Sequence, residues 1–418
     1  MKKAFIKSKM GLIALAFSSL CLCACSSDAN EPEPDNKWSP IVLDSDQTAA
    51  AQQLMDFYTQ YTADAVKTVY QNPNRESDNV IVSPLSASML LGMLANAVDY
   101  DTAKKITDYM GVSDLKALND LSRILLDKLP VADRKSKLQI ANSVWYTNKG
   151  TLNPDFSSGL TRNYNALLKS IDFSSNSATG TINNWISSST NGKFSSFLPT
   201  LDTNTIAVLL NTVFFEGKWA EEYFDPQNTV KGVFHGTSGD REVMMMHADD
   251  GGGLYSETDK FTLVQYFFGN ESFCLYLVLP VDDYTETGVI PALTPEDMQL
   301  LYDNARGANG TVNLPRFSLG SKISLNDLMA CAGIPELSGS LPLSMLSSRI
   351  DGVVKLSQGA SISLDEEGVT VAAVSEGEAL EGASGHEFHL TFDRPFYFFI
   401  TYPYNIRTCL LSGLVADL

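Results

Sequence analysis

Four histidines, His235, His247, His386 and His389, come first, because imidazole is the side chain best suited to proton transfer and metal ligation near neutral pH. None stands in an HExxH arrangement or beside paired cysteines. His386 and His389 are three apart, a spacing that on a strand sends them to opposite faces, into solvent. No GxSxG elbow and no GxxxxGK[ST] phosphate loop occurs. Carboxylates number 49, but a solvated acidic surface accounts for them without a glycosidase pair. No catalytic constellation is assembled, so an enzyme is not expected, and no cofactor or metal is implied.

What remains unusual is residues 361–403. They begin with Ile362 and Leu364 alternating against Ser361, Ser363 and Asp365, and end in the dense apolar run 396–400, so both flanks read as sheet. Between them, residues 368–385 hold no Pro, Lys or Arg and are rich in Gly, Ala, Val, Ser and Glu. Loops longer than about 12 to 15 residues are uncommon unless functional or disordered. This one begins with small and β-branched residues that a sheet interior accepts. Alternate residues put Val369, Val371, Ala373, Ser375 and Gly377 on one face and Glu376 and Glu378 on the other. Such a loop could bury one face and leave the other in water.

At this point the chain resembles the serpin family. Asp365-Glu366-Glu367-Gly368 followed by Val-Thr-Val-Ala-Ala resembles the hinge of that family's reactive-centre loop, and Phe392-Asp393-Arg394-Pro395-Phe396 the strand beyond it. Ala141-Asn142-Ser143-Val144-Trp145, Ile182-Asn183-Asn184-Trp185 with Thr190-Asn191-Gly192-Lys193, the run 210–219, Phe224-Asp225-Pro226, Met244-Met245-Met246-His247 and Leu314-Pro315-Arg316-Phe317 are similar to further signatures, in family order. The resemblance covers roughly residues 50–418. It implies an α+β serpin fold, with three β-sheets, a shell of about eight or nine helices and an exposed reactive-centre loop at about residues 366–391.

The N-terminus reads as an address. Residues 1–24 carry four lysines and a short apolar stretch, and Leu22-Cys23-Ala24-Cys25 has the look of a bacterial lipobox that would leave Cys25 lipidated; an ordinary Cys-rich secretory signal is the alternative. Residues 25–45 are acidic and Pro-containing, a disordered tether. An acidic run after a lipidated Cys resembles the surface-export signals of Bacteroides-like lipoproteins. The expected localisation is thus export with a lipid anchor in the outer membrane, at the cell surface or outside the cell. The remainder, 46–418, shows no repeat or compositional break and is expected to be one domain and a monomer.

Losing residues 1–24 would take the formal charge from −19 to −23, which disfavours nucleic acid and a heparin-type site. Cys274, Cys331 and Cys409 lie outside the export segment, and their odd number reads as buried free thiols.

Helical spacing covers 52–70, 87–97, 101–110, 115–129, 154–163 and 177–190, with strands at 79–82, 138–146, 206–215, 262–267, 273–279 and 410–415. Ser83-Pro84 is a helix start. The strand 206–215 is apolar on both faces and belongs in the centre of a covered sheet. The resemblance implies a "shutter" of Ser83, Ser86 and Asn211 beneath that sheet, with Gln358 where the family has a His, and a "breach" at Trp219 where the hinge first enters.

The resemblance also implies a suicide-type mechanism. A serine protease would cleave the loop, and the freed hinge would add as a strand to the central sheet, trapping the acyl-enzyme. Roughly a dozen ladder hydrogen bonds at ~1 kcal/mol net each rival the stability of an ordinary domain. The hinge Glu366, Glu367, Gly368, Val369, Ala372 and Ala373 carries no Pro and no bulk, although Val369 stands where Thr is common. Counting from Gly368 puts the reactive bond at Gly382-Ala383, and counting back from Pro395 puts it at Ser384-Gly385, so the window is Leu380, Glu381, Gly382, Ala383, Ser384 and Gly385. No Lys or Arg lies between Lys355 and Arg394, so elastase-like proteases are favoured as partners over trypsin-like ones. A non-inhibitory serpin, binding or structural at the cell surface, is the alternative.

Overall fold

The computed structural model describes residues 40–192, 198, 201, 204–249, 253–343, 351–369 and 387–418. A long helix, α1 (Ser45–Gln71), opens the body. The Asp44 carboxylate accepts from the Gln47 N–H at 2.8 Å while the Gln47 side chain accepts from the Asp44 N–H at 3.0 Å, satisfying two donors the helix would otherwise orphan. The helix therefore starts earlier than the spacing of its apolar residues suggested. Just before it, within the stretch expected to be a tether, Ile41 is buried, donates to Tyr402 Oη at 3.1 Å and accepts from Asn405 at 2.8 Å.

Next come β1 (Val80–Val82), α2 (Pro84–Ala95), α3 (Tyr100–Tyr109), α4 (Leu115–Lys128), β2 (Ser136–Thr147), α5 (Pro154–Tyr164), β3 (Leu167–Ile171), α6 (Ala178–Ser189) and β4 (Thr205–Lys218). All but β3 were expected from the sequence, close to these bounds. β5 (Val230–Gly236), β6 (Gly239–Ala248), β7 (Gly253–Glu257), β8 (Phe261–Phe268), β9 (Phe273–Pro280), α7 (Tyr284–Thr287), α8 (Pro295–Asn304), β10 (Arg306–Pro315), β11 (Phe317–Ser324) and α9 (Leu325–Cys331) follow. The chain closes with β12 (Ser340–Pro342), β13 (Asp351–Asp365), β14 (Gly368–Val369), β15 (Glu387–Thr391), β16 (Phe396–Tyr402) and β17 (Thr408–Val415).

One network of strands runs β1-β17-β16-β9-β8-β7-β10-β6-β5, with β15 on β10. Strand β10 divides it: Arg306–Ala308 pair with β7, whereas Val312–Pro315 pair with β6 and Asn309–Asn313 with β15. One strand thus serves two sheets, and the central sheet, β11-β13-β14-β4-β2-β3 with β12 on β13, makes a third. The class is α+β, with nine α-helices among the described residues.

Strand β4 is buried on both faces, as its unbroken apolar run requires. On one side it meets the main core, where α2 is buried along its whole length. On the other, Val208 and Leu210 pack with Trp145 of β2 under Ile182 and Ile186 of α6.

Cys274 and Cys409 are buried, and burial pushes both thiols up to about 12. Cys331 departs from the expectation of a buried thiol: it ends the short α9, whose buried residues are Leu325, Asn326, Leu328 and Met329, and it is exposed.

Candidate functional site

Strands β13 and β4 lie parallel and pair from Val353↔Thr205 to Ser357↔Leu210. At the other end β14 sits between them, antiparallel to both, with Val369 opposite Leu364 and Gly217, and Gly368 opposite Asp365 and Lys218. Neighbouring strands are ~4.8 Å apart, so β13 and β4 diverge from one strand spacing to two over residues 358–363 and 211–216. Among the described residues this leaves a gap in the central sheet, zipped at one end and spanned by two residues at the other.

The open end is built around the turn at Glu366 and Glu367. Gly368 has φ +131°, and a Cβ there would lie 2.3 Å from the Gly217 carbonyl oxygen, so glycine is required twice over. Val369, 2% exposed, is buried with Leu364. Trp219 clamps the turn: its indole N–H donates to the Asp365 carbonyl at 3.1 Å and its backbone N–H to the Glu367 carbonyl at 3.2 Å. Its ring stacks on Phe268, 4.9 Å between centroids. The Glu366 side chain is buried and accepts from Arg316 Nε at 2.7 Å, from Arg316 Nη2 and from the Thr229 hydroxyl. Burial opposes ionisation of Glu366, but the Arg316 and Thr229 donors outweigh it and hold its carboxyl below the usual range.

The zipped end ends in a buried amide network. β13 turns Val354, Leu356, Gln358, Ala360, Ile362 and Leu364 inward, so Gln358 is the amide in an apolar file. Its Oε1 accepts from the Ser83 N–H at 3.0 Å and from Tyr61 Oη at 3.3 Å, and its Nε2 donates to the Ser83 carbonyl at 2.6 Å. Ser83 caps α2 by accepting from the Ser86 N–H at 3.2 Å, and the Ser86 hydroxyl donates to Asn211 Oδ1. Asn211 Nδ2 donates to Asn142 Oδ1 at 2.7 Å, and Asn142 in turn to the Tyr164 carbonyl at 2.7 Å. The start of α2 thus grips β13 through Ser83 and β4 through Ser86, just past the last pair of their ladder.

Ser83, Ser86, Asn211 and Gln358 are brought together, and Glu366, Glu367, Gly368, Val369 and Trp219 form a second group at the opposite end. The hinge was expected to begin outside the sheet, whereas Gly368 and Val369 already lie within it, because the turn folds them back onto β13. Ala372, Ala373, Leu380, Glu381, Gly382, Ala383, Ser384, Gly385 and Cys25 lie outside the described residues. Sequence reasoning missed Tyr61, Asn142, Arg316 and Thr229. Asn142 and Arg316 each lie inside a quoted motif but carried no role there.

The three described histidines are dispersed: His235 meets Asp240 at 2.7 Å, His247 meets Asn313 at 2.7 Å and Asp249 at 2.9 Å, and exposed His389 meets Thr311 at 2.8 Å, while His386 lies outside the described residues. Among the described residues no group of three or more His, Cys, Asp or Glu could hold a metal ion.

A family model described as Serpin (serine protease inhibitor) matches residues 58–417. Antithrombin-III of Homo sapiens is 28% identical over 371 residues, covering 84% of this chain and 79% of the relative. A serine protease inhibitor of Cyanea capillata is 30% identical over 355 residues, covering 81% of this chain and 92% of the relative. Among solved structures, the thermophilic serpin tengpin in its native state superposes with a TM-score of 0.74 at 24% identity, covering 92% of this chain and 97% of that one.

Proposed function

The chain belongs to the serpin family of serine protease inhibitors, and on that premise we propose that it traps its target by inserting its cleaved loop between β13 and β4. The observation that carries this reading is β14, two residues of the loop's own strand seated between two strands that splay around it. Continued in the register of β14, residues 370–375 would face 363–358 of β13 and 216–211 of β4, ending beside Gln358 and Asn211. These residues would gain ladder bonds on both sides at ~1 kcal/mol net each while breaking no β13 to β4 pair. Further insertion must unzip the parallel ladder, and it exchanges each such contact for two antiparallel ones. Cleavage supplies the slack. A protease still joined as an acyl-enzyme is carried along, and each ~1.4 kcal/mol lost at its oxyanion hole slows release tenfold.

The small residues at Gly382 and Ala383, with no nearby Lys or Arg, favour elastase-like serine proteases as targets. The lipobox at Cys25 and the acidic run after it favour a bacterial lipoprotein, exported, anchored in the outer membrane and working as a monomer at the cell surface. Mixing the chain with neutrophil-type or pancreatic elastase tests the reading. An SDS-resistant adduct and a released peptide beginning near Ala383 are expected. Cleavage without an adduct, across several proteases, would favour a non-inhibitory surface serpin instead.

A further inference from the structure

At the end of the central sheet opposite Trp219, where the parallel ladder begins with Val353↔Thr205, lies a cavity of about 370 Å³. It is bounded by the last residue of β2, the turn after β3 and the first residues of β4, β12 and β13. Thr147, Phe173, Thr205 and Ile206 are its buried lining, and Lys149 and Asp172 line it while exposed to solvent. Thr205 is 2% exposed, and among the described residues its hydroxyl has no hydrogen-bond partner. A hydroxyl so buried costs free energy until something polar meets it.

Asp172 accepts from the Ser174 hydroxyl at 2.6 Å and from the Ser174 N–H at 3.0 Å, both on Oδ1. The hydroxyl bond and the N–H bond, with the Lys149 charge adding to them, hold its carboxyl below the usual range, so it is ionised at neutral pH. The cavity thus presents one anion and one cation. Asp172 repels a simple anion and Lys149 a simple cation. A small molecule that carries both charges satisfies both, and its apolar part can lie against Phe173 and Ile206.

We propose that this cavity binds a small zwitterion, an α-amino acid with an apolar side chain, its carboxylate held by Lys149 and the Thr205 hydroxyl and its ammonium by Asp172. Free amino acids are the end products of peptide hydrolysis, so the ligand reports on the activity the protein opposes. The cavity also draws on both strands of the ladder at their first pair: Asn204, Thr205, Ile206, Gly352 and Val353 line it, and the Val353 N–H donates to the Asn204 carbonyl at 3.1 Å. Resting on insertion as proposed above, a filled cavity holds this end of the ladder closed and slows the last part of insertion.

The test titrates the full chain with L-valine, following binding by calorimetry and stability by guanidinium unfolding of the intact protein. A dissociation constant on the order of 1 mM is expected for a ligand of this size, so about 10 mM valine should lower the unfolding equilibrium constant roughly tenfold. Isovalerate and isobutylamine, with one charge each, should bind about tenfold more weakly, and Lys149→Gln and Asp172→Asn should each weaken valine binding by a similar factor. Thr205→Val, which puts a methyl in place of the unpartnered hydroxyl, should also weaken binding while leaving the unliganded protein at least as stable. No binding of valine, equal binding of either singly charged analogue, or valine binding indifferent to all three substitutions would overturn the site. With elastase, the same valine concentration should shift product from SDS-resistant adduct toward cleaved chain in the wild type and not in Lys149→Gln. Valine binding without that shift would overturn the coupling to the ladder. A wild-type chain that binds valine yet is cleaved without adduct by several proteases, valine present or absent, would overturn insertion and leave the site standing.

Discussion

At one end of the gap between β13 and β4, Glu366 meets Arg316 and Thr229, and the Arg316 side chain is 42% exposed. At the other end, Gln358 bonds Ser83 while Ser86, Asn211 and Asn142 exchange hydrogen bonds, each of the five at most 3% exposed. The first arrangement is partly screened by water and depends on charge. The second is neutral and sealed, so each broken bond would leave a buried amide unpaired at about 1 to 3 kcal/mol. The gap is therefore cheap to open at the hinge and costly to open at the start of α2. A strand entering from the hinge end meets its resistance last.

The sharpest way to break this contrast is at Val369. Val369→Arg would force a charge into a site 2% exposed between β13 and β4, costing several kcal/mol. β14 should detach, and the inhibitor should become a substrate, with adducts on denaturing gels replaced by cleaved chain. Undiminished adduct would contradict a strand that enters at this point.

At the far end, Gln358→Leu would orphan the Ser83 N–H and the Tyr61 hydroxyl, while the Ser83 carbonyl keeps its bond from the Ala87 N–H, and should lower the intact protein's stability by about 2 kcal/mol, measured by denaturant unfolding. Gln358→His offers a finer cut. Ser83, Ser86, Asn142, Asn211 and Gln358 carry no group that titrates near neutral pH, so the native network should be insensitive to pH between about 5 and 8. A histidine buried there would have its pKa lowered by desolvation, so the variant should lose stability as pH falls through that window while wild type does not.

The hinge end should answer to pH in a lower range. Glu366 has its folded pKa lowered, so its stabilising contribution is fully present above the ordinary glutamate range and fades as pH falls below it. Glu366→Gln should cost about 1 kcal/mol at neutral pH, discounted for the exposure of Arg316, and should flatten that acid limb in unfolding midpoints taken across pH. The smallest effect concerns neither end: with Cys274 and Cys409 buried, Cys331 should be the described thiol that reacts with Ellman's reagent in the native protein.

The legible parts of the fold were those with a period. Helices α3 to α6 and the strands β2, β4, β8 and β9 show continuous apolar runs or regular spacing, and the sequence marks them closely. β3 was missed because it is a mostly exposed edge strand with no buried face to print a pattern. Most of β13 was missed because Gly352, Lys355 and Gly359 interrupt what is a full alternation once Gln358 is counted as inward. β14, two residues long, has no period at all. At the site, Trp219, Asn211, Gln358 and the two serines were found through resemblance. Tyr61, Arg316 and Thr229 were not, because their roles come from the elements that fold against them: Tyr61 lies 297 residues from Gln358 and Thr229 lies 137 from Glu366.

Amide hydrogen exchange on the intact and the loop-cleaved protein reads the gap most directly. If the cleaved loop fills the space between β13 and β4, amides of residues 358–363 and 211–216 should become strongly protected on cleavage, and protection should extend past Gln358 and Asn211 toward Val353 and Thr205. Unchanged exchange along both strands after complete cleavage of the loop would contradict it.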